Sequence, residues 1–157
     1  MIFDENIVSI IEPTRELSDL FEQIRIKISS LIPGAKIELI GSLAIPMKGK
    51  PEMDILIQTE DVEITQDKLS TINFSKGPII EEEGFCKNRD YKILIELHIV
   101  PFNHKRIHKY KQLIKLLQEN EKLKKSFEKL KLSYEGKSIK EYKVAKNLFM
   151  EENNLLN

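Results

Sequence analysis

The sequence predicts an α+β domain: an N-terminal amphipathic helix, a mixed β-sheet and a helical C-terminal third. Three observations predict it. Leu17, Leu20, Phe21, Ile24, Ile28 and Leu31 recur at helical spacing between Pro13 and Pro33-Gly34. From Lys36 to Val100 the apolar pattern changes to short alternating or continuous runs separated by turn residues. After Pro101 the spacing is helical again.

Each element has its own warrant. Pro13 suits the first turn of a helix, and Pro33-Gly34 ends it. Lys36–Ile40 is a short alternating strand. Two prolines and two glycines make the stretch from Gly41 to Pro51 a loop. Met53 to Gln58 is apolar on both faces except at Asp54, as in a strand covered on both sides. Thr65 to Ile72 reads as a short helix and Gly77-Pro78 as a break. Ile79 to Glu83 and Tyr91 to Val100 read as strands, with the polar tract Cys86 to Asp90 turning between them. On the longer strand Lys92, Leu94, Glu96 and His98 share one face, and Ile93, Ile95, Leu97 and Ile99 the other. Helices follow through Ile107, Tyr110, Leu113, Ile114 and Leu117, then through Leu123, Phe127, Leu130 and Lys131. Gly136 breaks the chain, and Ser138 caps a last helix through Ile139, Tyr142, Ala145, Lys146 and Phe149.

Composition narrows the classes. The 157 residues are 41 % hydrophobic and 32 % charged, which suits one domain with a real core. No apolar stretch is long enough to cross a membrane, no basic leader precedes one, and the single Cys86 forms no internal disulfide. A cytoplasmic protein is expected. Net charge is zero but unevenly spread. Residues 1–101 hold 11 Lys/Arg against 18 Asp/Glu, and residues 102–157 hold 14 against 7. The Lys-rich helices, with Lys122, Lys124, Lys125, Lys129 and Lys131, read as a solvated face or as a patch for an anionic partner.

The pattern that carries chemistry is Gly41-Ser42, a spacer of eleven residues, and Asp54 inside an apolar strand. Glycine permits a tight turn and close backbone approach. A serine hydroxyl and neighbouring N–H groups meet phosphate oxygens, and a strand acid holds a divalent cation bridging them. This is the plan of a nucleotidyltransferase-type site. The mixed sheet is accordingly expected to have that fold, flanked by the N-terminal helix and the C-terminal helical region. A second acid two residues on is absent, since Leu56 stands there. Glu96, on another strand, is the expected second carboxylate. A buried Asp54 otherwise needs an ion pair, with Lys48 or Lys50 as partners, or loop amides. Glu96 has Lys92 and His98 as neighbours for a cross-strand pair. His104 and His108 lack a third metal ligand.

The run Ile37 to Pro46, then Lys50-Pro51-x-x-Asp54-Ile55, resembles the signature of GrpB-like proteins. So do Leu97-His98-Ile99-Val100-Pro101 and Tyr142-x-x-Ala145-Lys146-x-x-Phe149. The resemblance covers roughly residues 12–152 of a single domain spanning 1–157. It implies a nucleotidyltransferase fold more firmly than a reaction. The chain departs from the family at Leu113-Ile114-Lys115, where an Arg and an Asp are usual, and at Glu96, where a polar or basic residue is usual.

Together these readings predict transfer of a nucleotidyl group from a nucleoside triphosphate to an acceptor. Asp54 and Glu96 would be catalytic and hold magnesium; Gly41, Ser42, Lys50 and His98 would contact the substrate. The alternatives are a non-catalytic module for a nucleotide or coenzyme A-like ligand, and a protein interaction domain with a degenerate site.

Overall fold

A computed structural model describes residues 3–155. Helix α1 (Arg15–Leu31) starts at Thr14, whose hydroxyl accepts the Leu17 N–H, and buries Ile24 and Ile28. Strands β1 (Lys36–Ile40) and β2 (Glu52–Thr59) flank the Gly-Ser loop, which opens with one 3-10 turn at Ser42–Ala44. Helix α2 (Val62–Ser70), β3 (Ser75–Ile80), β4 (Glu83–Asn88) and β5 (Leu94–Pro101) follow. Helices α3 (Lys105–Glu119), α4 (Glu121–Ser133) and α5 (Ile139–Glu152) complete the chain. Ser138 caps α5 as expected, accepting the Lys140 N–H.

The sheet has the order β1-β2-β5-β4-β3. Only β2 and β5 run parallel; the other neighbours are antiparallel. The sheet is therefore mixed, with β5 in the middle and β2 interior beside it. Strand alternation divides β2 and β5 between two layers. Met53, Ile55, Ile57, Ile95, Leu97 and Ile99 join Ile24, Ile28 and Leu69 in one core under α1 and α2. On the opposite face Leu56 and Val100 meet Ile107, Tyr110 and Ile114 of α3. A further core of Ile45, Met47, Leu117, Phe127 and Met150 joins the Gly-Ser loop to α3, α4 and α5. The first two clusters follow the apolar stripes read in the sequence, and the third adds Ile45 and Met47 from the loop, so hydrophobic burial accounts for the layering.

The expected break at Gly77-Pro78 and the turn at Cys86 to Asp90 are both corrected. Gly77 and Pro78 lie inside β3, at an irregularity in its register with β4 between Lys76 and Ile79. The hairpin turns instead at Glu81 and Glu82, which take positive φ of 49° and 71°. A proline is tolerated because β3 is an edge strand. Cys86 is fully buried in β4, where burial pushes its thiol up to about 11. This fits an inert structural role. The short helix begins at Val62 because Asp61 caps it through the Ile64 N–H.

Candidate functional site

The polar residues of the second sheet face sit at the bottom of a cavity of about 300 Å³ closed over by α3, α4 and α5. Gly41, Ser42, Lys50, Asp54, Glu96 and His98 all line it, so all six residues singled out in the sequence converge. Asp54 and Glu96 are register partners across the parallel β2–β5 pair, hence on one face at one level. Leu56 is the register partner of His98 and is 1 % exposed, packed with Ile40 and Val100. The place of a further carboxylate is thus filled by a core side chain.

Gly41 is required by its surroundings. Its φ of 72° and ψ of −160° belong to a region that side-chain-bearing residues avoid. A Cβ there would lie 2.7 Å from Asp54 Oδ2. The turn therefore brings backbone directly against the carboxylate.

Asp54 is not paired with Lys48 or Lys50. Those lysines pair with Glu12 at 3.7 Å and Glu52 at 3.4 Å. The partner of Asp54 is His98, whose Nε2 stands 3.2 Å from Asp54 Oδ1. His98 Nδ1 lies 3.3 Å from the Tyr110 hydroxyl, which donates to Glu83 Oε2 at 2.8 Å. Glu83 is 1 % exposed, and Arg106 closes the chain 3.6 Å from its other oxygen. This line of contacts is fully satisfied when both ring nitrogens of His98 carry protons. Burial pulls the imidazole down, but the hydrogen bond to Asp54 and the charges of Asp54, Glu96 and Glu83 outweigh it and raise His98 above 6.5. Glu96 pairs with Lys87 at 3.9 Å, and Lys92 pairs with Glu16 at 3.1 Å, so the expected Lys92 partner is corrected. His104 caps α3 through the Arg106 N–H, and its Nε2 lies 2.9 Å from the Glu81 carbonyl.

The side of the cavity facing this carboxylate floor was misread in the sequence. Lys131 is 3 % exposed and belongs to no solvated face. Its Nζ donates to Ser42 Oγ at 2.9 Å and to the Lys48 carbonyl at 3.0 Å, above the Phe127 ring. Burial and the positive charges of Lys146 and Lys50 push it down to about 7, against the pull of Glu128 and Glu52. Lys146 is lowered in the same way, by burial first and Lys50 next. Glu52 is raised by burial and by Asp54. A signal was present: Lys131 lies four residues after Phe127 in the apolar stripe, and Lys146 four after Tyr142. The helices thus bring a buried Lys131 and a half-buried Lys146 into the same cavity as the strand carboxylates, with the Ser42 hydroxyl held by Lys131.

Among the described residues no three of His, Cys, Asp and Glu form a metal-holding group, and no helix is long and apolar enough to cross a membrane. The Asp54–Glu96 pair supplies two carboxylates at one level, with Asp54 Oδ1 already engaged by His98. Such a pair fits one water-rich magnesium ion and not two.

A mixed sheet carrying a Gly-Ser turn and a strand carboxylate below a helical cap defines a nucleotidyltransferase-type fold. It is shared with the Cid1 poly(U) polymerase bound to MgGTP at a TM-score of 0.54 and 14 % identity, over 72 % of this chain and 41 % of that one. A cytoplasmic RNA terminal U-transferase matches at 0.50 and 17 %, over 73 % and 38 %. Within this class the chain belongs to the GrpB family, whose model, described as GrpB protein, matches residues 7–154. The conserved protein GrpB from Enterococcus faecalis superposes with a TM-score of 0.75 at 18 % identity, over 94 % of this chain and 92 % of that one. No curated protein matches the chain.

Proposed function

We propose that the cavity binds the polyphosphate of a nucleotide and that the protein is a nucleotidyltransferase-type enzyme working with at most one magnesium ion. The observation that carries this reading is that Lys131, buried in the helical wall, and the half-buried Lys146 share one cavity with Asp54 and Glu96 on the strands. A buried ammonium is stabilised by an anion more than a solvated one is, because little water competes. Lys131 already offers its protons to the Lys48 carbonyl and to the hydroxyl of Ser42, and Ser42 lines the cavity in which a phosphate would lie. Asp54 and Glu96 would hold the magnesium, which would neutralise phosphate charge when bound. His98, held by Tyr110 and Glu83, keeps Asp54 oriented towards the cavity. The helical cap excludes water around the phosphates.

A second reading rests on Leu56. With a core leucine where another acid would stand, the same cavity suits a non-catalytic module for a nucleotide or a coenzyme A-like ligand. Thermal shift with nucleoside triphosphates and with coenzyme A, with and without magnesium, separates the two. Transfer requires a shift that needs both magnesium and Asp54, and label from an α-labelled triphosphate appearing in a product. A shift indifferent to magnesium and to Asp54→Asn establishes the binding module. No shift from any nucleotide or coenzyme A in the folded protein overturns both.

A further inference from the structure

Ser42 carries a hydroxyl, Lys131 a buried amine, and the fold brings the two into direct contact. Lys131 Nζ stands 2.9 Å from Ser42 Oγ and 3.0 Å from the Lys48 carbonyl. That is the separation a hydroxyl nucleophile and its base require. Lys131 is 3 % exposed, whereas Ser42 is half-buried, and both line the cavity. The backbone backs this contact. Gly49 exchanges both its main-chain hydrogen bonds with Ile11, at 2.8 and 3.2 Å. A Cβ on Gly49 would lie 2.6 Å from Ser42 Oγ and 3.4 Å from Lys131 Nζ, so glycine leaves the room the pair occupies.

A lysine acts as a base only as the free amine. Burial opposes the Lys131 proton most strongly, and Lys146 of α5 and Lys50 of the loop add to it. Glu128 of α4 and Glu52 of β2 act the other way, and the balance leaves Lys131 pushed down to about 7. The free amine is therefore abundant just above neutral pH. It keeps an N–H on the Lys48 carbonyl and turns its lone pair to the Ser42 O–H. A lysine at its ordinary value would stay an ammonium and hold the hydroxyl without activating it. An anion beside the amine would likewise keep the proton on, so the electrophile that suits this pair is uncharged.

We propose that Ser42 and Lys131 form a nucleophile–base pair, and that the cavity takes an uncharged carboxylic ester whose acyl group passes through Ser42 to water. Ser42 Oγ bonds to the acyl carbon while its proton goes to Lys131 Nζ. The ester C–O bond breaks, and the departing alcohol takes that proton. Water then attacks the acyl carbon, gives a proton to Lys131, and the Oγ–acyl bond breaks. Ser42 recovers its proton from Lys131 and the carboxylic acid leaves. This activity goes beyond the nucleotide reading and does not depend on it.

The test exposes the wild-type protein, Ser42→Ala and Lys131→Met to two uncharged probes, diisopropyl fluorophosphate and p-nitrophenyl butyrate. With the first, Ser42 Oγ bonds to phosphorus, fluoride leaves with the electron pair, and the proton goes to Lys131. Peptide mapping is expected to find the adduct on Ser42, formed at a rate that rises to about pH 7 and levels off above it. Lys131→Met should slow both the adduct and the release of p-nitrophenolate about 100-fold, and Ser42→Ala should abolish both. Absence of a Ser42 adduct, or ester release that survives Ser42→Ala, overturns the inference. So does an equal adduct rate in folded Lys131→Met. If that variant does not fold, a wild-type rate that keeps climbing to about pH 10 overturns it, since Lys131 would then titrate like an ordinary lysine.

Discussion

The two sides of the cavity are built from opposite materials. The floor is strand: Asp54 and Glu96 stand at one level because β2 and β5 are in parallel register, and backbone hydrogen bonds fix their separation. The wall is helix: Lys131 and Lys146 arrive on long side chains from α4 and α5, and Lys131 is held by contacts to the Gly-Ser loop. Negative charge is thus set by the rigid layer and positive charge by the layer that caps it. The difference teaches how the proposed site would divide its work: the strand carboxylates would serve the metal, and the helix lysines would serve the phosphates.

Removing one lysine is the strongest way to break that comparison. Lys131→Met is expected to weaken triphosphate binding about 100-fold, the usual cost of deleting one partner of a buried charge contact. It also carries a stability signature. In the unfolded chain Lys131 keeps its proton to about 10.5, whereas in the folded protein it loses it near about 7. Between those values the unfolded chain binds more protons, so stability rises with pH, by at most about 1.4 kcal/mol per unit. Below that window both states are protonated and the slope vanishes. Urea midpoints from about pH 7 to 9 should rise in the wild type and flatten in Lys131→Met. An unchanged slope in the variant would assign it to another group.

The floor is tested next through the glycine pressed against it. Gly41→Ala combines a backbone region almost closed to alanine with a Cβ 2.7 Å from Asp54 Oδ2. The clash cannot be relieved by a long flexible chain, since the short Asp54 side chain is tied to His98. A loss of ~2–3 kcal/mol is expected. Gly34 is the control: its φ is 87° but nothing lies within 4 Å of the added carbon. Gly34→Ala should cost only ~1 kcal/mol, the conformational part alone. Equal losses at the two sites would mean that contact with Asp54 adds nothing.

Asp54→Asn sharpens the floor's role with a smaller effect on stability. It leaves the His98 imidazolium without its main partner, at a cost of ~1–2 kcal/mol. His98 has a raised value in the folded protein. The stability it contributes is therefore full below about pH 6.5 and is lost as pH rises through the folded value. The difference between wild type and variant should shrink in that direction, and with it any magnesium-dependent part of the nucleotide shift should disappear. A difference that grows with pH would place the stabilising charge elsewhere.

The same contrast explains what the sequence disclosed. Asp54 was visible because a lone acid in an apolar strand violates burial rules, and such violations mark sites. Gly41-Ser42 was visible through its spacing. Which strands pair was not visible, because register depends on contacts between segments far apart in the chain. The juxtaposition of Asp54 with Glu96 therefore had to be observed. The hairpin was misplaced because Gly77-Pro78 carries stronger turn chemistry than Glu81-Glu82, yet an edge position absorbs the proline and the acids take the left-handed conformation. Lys131 lies within a helical stripe, but lysine is so often solvated that its tail, buried beside Phe127, reads as surface.

The smallest expected effects lie on the outer side of α4. Lys122, Lys125 and Lys129 are exposed, unlike Lys131 on the same helix. Each single change to alanine should alter stability by no more than ~0.5 kcal/mol and leave the nucleotide shift in place, since exposed charges are screened by salt and solvent. If the helix instead presents these lysines to an anionic partner, changing all three together should lower retention on a polyanion column at low salt. Nucleotide binding would again be unaffected. A triple variant that loses nucleotide binding while remaining folded would show that the outer lysines feed the cavity, and the division between one buried cation and its solvated neighbours would no longer hold.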